Sequence, residues 1–436
     1  MPTIAPSRAV DFAEVTLLAE AALAGQHVSQ PLEGFEVLIA HHGDVIYQQA
    51  FGDWQLDRLA EIDSASKTLS AALVMSVADE GAGGFRLDSH LADYLEEYDV
   101  PEYDQITVRQ AFSHTSGFGG IDVLSPILAN RFIDLREAAR RIQQRPLTHG
   151  PPGTVFAYGG SSMQAAAAAL EVAAGGRFVD LLAERITEPL GMTSTQFVKA
   201  SENNPRVAGG AVSTGRDYLA LLDMFLQGGV VRDSGQRVLS EASVRELLTQ
   251  QTNDSHEIAY SPVDNHRYGI GVWVDQLDQA GPAVPALAAG AGGFHGWIDP
   301  ANDLAMVVSI DTSEFSDVAL LASMWHRAVL EAVVWDAPAA DFQRDGQVDG
   351  ADLAIWERWF GASAEQSWYR GDATGDGATA GDDFLRWQNG WTAKSDAPLT
   401  SSVPEPCSAG LWGTAILAQR MRRRLSHRRE RRILRK

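Results

Sequence analysis

Ser64-Ala65-Ser66-Lys67 sets a hydroxyl and an amine three residues apart. On a helix that spacing puts both on one face. A serine is a weak nucleophile until a base takes its proton, and a lysine serves once its pKa is lowered by burial or nearby charge. A nucleophile at a helix N-terminus also gains backbone N–H groups that stabilise negative charge on a bound carbonyl oxygen. The pair stands out because the chain has four lysines, Lys67, Lys199, Lys394 and Lys436, among 35 basic residues.

A second chemistry is written near the C-terminus. Asp341, Gln343, Asp345, Gln347, Asp349 and Asp352 occupy positions 1, 3, 5, 7, 9 and 12 of a loop with Gly346 at the sixth. This is the spacing a hard cation such as calcium needs: carboxylates converge, glycine permits the sharp turn and position 7 offers its carbonyl. Asp372, Thr374, Asp376, Ala378 and Asp383 repeat it 31 residues later, with Ala380 at position 9, so the second loop is expected to bind more weakly. Each loop runs into a helix with a tryptophan four residues after the last ligand, Trp356 and Trp387.

The elements that must hold these groups can be read from periodicity. Glu36–Ala50 reads as two strands around His42-Gly43-Asp44, and Ser64–Glu80 as a helix ending before Gly81. Helices are expected over Thr107–Phe112, Ser161–Ala174, Asp217–Gln227 and Phe315–Trp335, and strands over Tyr268–Asp275 and Leu304–Ile310. Strands first, helices in the middle and strands again predict an α/β domain, an antiparallel sheet flanked by helices with a mostly helical insertion. Three pieces are expected: a large domain carrying Ser64 and Lys67 over 1–335, a small α-helical calcium-loop module over 336–396, and a linker and tail over 397–436.

Six segments resemble the serine β-lactamase and penicillin-binding-protein-like family, in particular the branch with class C β-lactamases, D-aminopeptidases and esterases. They are Asp63–Asp79, Ile106–Phe118, Pro151–Gly160, Gly209–Asp217, Tyr268–Trp273 and Ala289–Pro300, in the family's order. The resemblance implies that Tyr158 shares proton transfer with Lys67, and that the backbone N–H groups of Ser64 and Phe294 form the oxyanion site. It places Gly160, Gly293 and His295 as substrate-contacting positions. His114 and Ser116 belong to a recurrent structural loop. The chain departs from the pattern twice. Gly160 stands where the family often has asparagine, and aligning on Gly293 and Gly296 leaves Ala291 where a lysine or histidine is usual. Both losses weigh against substrates with a free carboxylate. The expected function is therefore an acyl-enzyme hydrolase of esterase or amidase type with no catalytic cofactor. Its substrate is a small or peptide-like acyl compound. A silent binding protein of the same fold, or a scaffold component, is the alternative.

The repeats resemble a dockerin module, which implies calcium and a cohesin-like partner or a structural cap. Val403-Pro404-Glu405-Pro406, the apolar run Ala409–Ala418 and the arginines from Arg420 resemble a PEP-CTERM sorting tail. That implies export and transient membrane contact, although no signal peptide is visible from Met1 to Gln30. The formal charge of −22 is a sum over unlike parts. Residues 420–436 hold ten basic groups and one Glu, leaving 25 basic and 56 acidic groups before them, −31. An acidic body excludes a chain-wide nucleic-acid surface.

Overall fold

The computed structural model describes residues 12–120, 125–263, 266–274, 286–312, 315–333, 340–343, 347–362, 370–374 and 378–391. The chain divides at residue 392/393. Everything described lies in the first unit, which includes both calcium-type repeats, and the sorting-tail segment lies outside the described residues.

Six strands form one antiparallel sheet. They are β1 (Gly34–His41), β2 (Asp44–Gly52), β3 (Trp273–Val274), β4 (Ala286–Ala289), β5 (His295–Asp299) and β6 (Leu304–Ser309), in the spatial order β3-β4-β5-β6-β1-β2. The first two strands therefore close on the last, with Val37 opposite Val308 and Ile39 opposite Met306. β1 is buried along almost its whole length. Its alternate residues enter different cores: Leu38 and Ala40 join one cluster, and Phe35, Val37 and Ile39 the other.

Helix α1 (Ala13–Leu23) and, at the end of the fold, the helix Phe315–Val333 cover the second of these faces. The Trp325 indole of the latter is fully buried and donates to Val15 O at 3.2 Å. Truncating such a side chain to alanine costs about 3–5 kcal/mol. On the first face sit α2 (Ser66–Glu80), α3 (Ser161–Ala174) and α4 (Gly215–Leu226), parts of the helical insertion between β2 and β3. α2 is buried on every side from Ser66 to Val77, as a central helix must be. It ends at Gly81 in the left-handed conformation, φ 69°. Counting onward, Phe315–Val333 is α5, and the repeats contribute α6 (Gly350–Trp359) and α7 (Gly381–Gly390).

Most predicted elements appear, with informative differences. The helix expected from Ser64 begins instead with a tight 3-10 turn, Asp63–Ala65, before α2. Of the strand expected over Tyr268–Asp275, Asp275 lies outside the described residues, Trp273–Val274 is a strand, and Gly269–Val272 folds into a turn before it. Gly271, φ 71°, lies there against α2, where a Cβ would come within 2.6 Å of Lys67 O.

Candidate active site

The 3-10 turn presents Ser64 at the start of α2, and one turn along, Lys67 is 2 % exposed. Its Nζ donates to Ser64 Oγ at 3.0 Å and to Ala208 O at 2.7 Å. The carbonyl fixes the amine where the hydroxyl needs it. Tyr158 follows the short strand Val155–Ala157 and sets its phenol beside Ser64, whose side chain partly offsets the rise in its pKa. Burial pushes its phenol well above the ordinary range. Lys67 Nζ stands 4.5 Å from the Tyr158 ring centroid. Serine, lysine and tyrosine thus meet, as the sequence predicts.

Several groups with no catalytic role expected from the sequence support the trio. Trp273 of β3 stacks on Tyr158 at 5.3 Å with 17° between planes. His114 lies on it at 4.5 Å, fully buried. Burial, and then the Lys67 charge, hold His114 well below the ordinary histidine range, so it is neutral. Its Nδ1 accepts weakly from Gly159 N–H at 3.4 Å. Ser116 Oγ accepts from Phe118 N–H at 3.2 Å, a local turn bond, so His114 and Ser116 do not form a nucleophile–base pair. Asp63, adjacent to the nucleophile, bonds Lys199 and Gly292 N–H.

The trio opens into a cavity of about 310 Å³. One wall is apolar: Leu128, Tyr260, Pro262, Val263 and Trp273. Arg206 and Gly209 line another part, and Ala289, Gly290 and Ala291 close the side formed by the sheet. Gly160 lines the cavity as expected. A Cβ there would stand 3.1 Å from Leu128 Cδ1 and 3.2 Å from Ala208 Cβ, so Leu128 fills the space an asparagine would use.

The third motif needs correction. Phe294 is fully buried against Tyr218, 5.0 Å between centroids, and does not line the cavity. Gly293, φ 90°, serves the tight turn between β4 and β5, where a Cβ would meet Val318 at 2.9 Å. His295 points to the other face of the sheet, with Nε2 3.0 Å from His326 Nε2 of α5. The reason is the two-residue alternation of a strand: Phe294 and Gly296 face Tyr218, so His295 and Trp297 face α5. The residues that reach the nucleophile come one strand earlier, from the end of β4. Ala291 is among them, so the site wall there carries no cation, as its sequence position implies.

The repeats form a second polar centre. Asp341, Asp352, Asp372 and Asp383, positions 1 and 12 of each loop, are almost wholly buried. Asp352 accepts from Gln343 N–H at 3.1 Å and Asp349 N–H at 2.8 Å. Asp383 accepts from Thr374 N–H at 2.9 Å and Ala380 N–H at 2.7 Å. Burial pushes the Asp352 carboxyl up to about 6. Asp349 caps α6 by accepting from Ala351 N–H. Gln347 and Ala378, the two seventh positions, are described; Asp345 and Asp376 lie outside the described residues. Among the described residues no three His, Cys, Asp or Glu side chains converge. Two buried carboxylates per loop are nevertheless the donor chemistry a hard cation takes. The helices cross-brace the loops: Trp356 Nε1 donates to Ala380 O, and Trp387 Nε1 to Asp349 O, both at 2.8 Å.

The fold defines a β-lactamase-like class of protein. Residues 19–328 match the Beta-lactamase family model, and the chain belongs to that family. It is 28% identical over 229 residues to penicillin-binding protein 4 of Amycolatopsis lactamdurans, across 45% of this chain and 57% of that protein. The chain therefore spans little more than half of that relative's length. It is 25% identical over 264 residues to the D-alanyl-D-alanine-carboxypeptidase/endopeptidase AmpH of Escherichia coli, covering 55% of this chain and 67% of that one. The crystal structure of a putative beta-lactamase from Bacteroides dorei aligns with a TM-score of 0.64 at 23% identity, over 74% of this chain and 99% of that one, a likeness of fold. Among the described residues no helix is long and apolar enough to cross a membrane.

Proposed function

We propose that the protein is a serine hydrolase that works through an acyl-enzyme on ester or amide substrates lacking a free carboxylate beside the scissile bond. The observation that carries this reading is Ser64 Oγ held at 3.0 Å by Lys67 Nζ, with the Tyr158 ring 4.5 Å from the same amine, inside a largely apolar cavity. With Lys67 in its neutral amine form, Ser64 Oγ attacks the substrate carbonyl as its proton passes to the Lys67–Tyr158 pair. The pair then protonates the leaving alcohol or amine as the C–O or C–N bond breaks. A water, deprotonated by the same pair, releases the acid and restores Ser64. The negative oxygen formed in each half is stabilised by Ser64 N–H and by the backbone of Ala289–Ala291. Gly290 N–H is committed to Phe294 O, and N–H groups alternate sides along a strand, so that of Ala289 faces away from β5, while Ala291 lies in the turn that follows.

The apolar wall and the alanine at the cationic position support short apolar acyl groups over D-alanine peptides or β-lactams. Mass spectrometry after a fluorophosphonate probe tests the reading: a single adduct on Ser64, absent from Ser64→Ala, is expected. No adduct on the wild type would leave a binding protein of the same fold. The repeats bind calcium through the two loops, as a dockerin-like cap or docking element for a cohesin-like protein. Titration of the full chain with calcium measures this. Export, with the arginine-rich tail as sorting signal, completes the proposal, and fractionation of the producing cell checks it.

A further inference from the structure

Asp63 precedes the nucleophile and adopts φ 39°, a conformation that L side chains reach only under constraint. Its carboxylate provides that constraint. Oδ1 accepts from Lys199 Nζ at 2.8 Å, across 136 residues of chain, and Oδ2 accepts from Gly292 N–H at 2.9 Å. Lys199 Nζ also pairs with Glu61 Oε2 at 2.7 Å. Each contact reaches a different part of the catalytic machinery. Gly292 lies in the turn that ends the Ala289–Ala291 stretch, and Thr312 N–H binds its carbonyl from behind. Lys199 N–H bonds Gly210 O, which closes the loop Arg206–Gly210. That loop carries Ala208, whose carbonyl holds Lys67 Nζ.

We infer that Asp63 and Lys199 form a positioning pair that locks three segments together: the nucleophile turn, the Gly290–Gly293 turn and the loop that holds Lys67. The inference rests on the serine hydrolase reading above. Oxyanion donors and a base help only when they converge on the developing charge within a fraction of an ångström. Here one carboxylate sets the distance between the turn that offers Ser64 N–H and the turn that offers the second donor. Its cation joins that junction to the segment that fixes the base. The pair makes no contact with the reacting atoms in this account. It acts through Ser64, Lys67 and the β4–β5 turn.

The test compares Asp63→Ala, Asp63→Asn, Lys199→Met, Lys199→Arg and, as control, Glu61→Gln. Two readouts are used: steady-state hydrolysis of p-nitrophenyl butyrate, and hydrogen exchange of the 290–293 amides. Asp63→Ala is expected to lower kcat about 100-fold with KM within about 3-fold, because transition-state alignment is lost while the apolar wall is kept, although Asp63 itself borders the cavity. Asp63→Asn keeps an acceptor for Gly292 and loses about 10-fold, as does Lys199→Met, while Lys199→Arg recovers most of the rate. Glu61→Gln stays within about 2-fold. Exchange in the 290–293 turn rises in Asp63→Ala, and the C-terminal half of α2 stays protected. A kcat in Asp63→Ala within about 3-fold of wild type, or an equal effect of Lys199→Met and Glu61→Gln, overturns the inference. If the wild type hydrolyses nothing and forms no probe adduct, the hydrolase reading fails instead. The exchange of the Gly292 amide then decides on its own whether Asp63 holds that turn. Should Asp63→Ala fold poorly, Asp63→Asn and Lys199→Met carry the comparison.

Discussion

The cleft and the C-terminal repeats gather polar atoms in opposite ways. In each repeat the buried carboxylates belong to one twelve-residue loop, and the N–H groups that hold them come from the same loop. In the cleft, Ser64 and Lys67 are neighbours, yet the lysine's second acceptor is 141 residues away at Ala208, and the phenol comes from Tyr158. A loop can organise a cation site by its own turns, whereas a nucleophile needs a base, an oxyanion donor and a dry wall from separate elements. Only the second arrangement depends on the sheet's register. Even the repeats need tertiary help, since each tryptophan bonds the other repeat's carbonyl.

That contrast can be broken or sharpened by experiment. The largest effect is expected in the cleft: Ser64→Ala lowers ester hydrolysis by about 10⁴-fold or more, checked by initial rates on purified protein. Tyr158→Phe, which removes only the hydroxyl, lowers kcat by about 10²-fold or more while circular dichroism stays unchanged. In the repeats, Asp352→Ala weakens calcium binding about 10- to 100-fold by titration, while Ser64 labelling persists because the cleft is built elsewhere.

The opposite face of the sheet gives a pH signature. Burial pushes His295 down to about 3 from its ordinary 6.5. Below about pH 6.5 the unfolded chain takes up a proton that folded His295 refuses, so stability is complete above that pH and lost as pH falls towards 3. Thermal melts should show this slope, up to about 1.4 kcal/mol per pH unit for one proton, and His295→Phe should flatten it. The smallest effect belongs to Gly160→Asn. Leu128 and Ala208 must give by a few tenths of an ångström, and KM is expected to rise about 3-fold, read from the same ester assay.

Much of the cleft was legible because its core chemistry is local. The Ser64–Lys67 spacing states itself in the chain, whereas the role of Tyr158 came from the family resemblance. Phe294 lies one strand beyond the stretch that borders the cleft, and His295 faces α5 by strand alternation; no local feature states which strand borders the nucleophile. Asp63–Lys199 could not be read as a pair, although the scarcity of lysine marks Lys199 as unusual. Leu128 in the space beside Gly160, and Trp273 on Tyr158, are meetings of segments with no periodic relation.

What the sequence by itself determined is the set of chemical groups and the elements that carry them. It supplied the nucleophile with its lysine and tyrosine, the strands and helices that alternate around them, and two loops with cation spacing. The tertiary structure decided which of these groups face one another. Side-chain direction depends on strand pairing and close packing, and these are settled only when segments far apart in the chain bury their surfaces together.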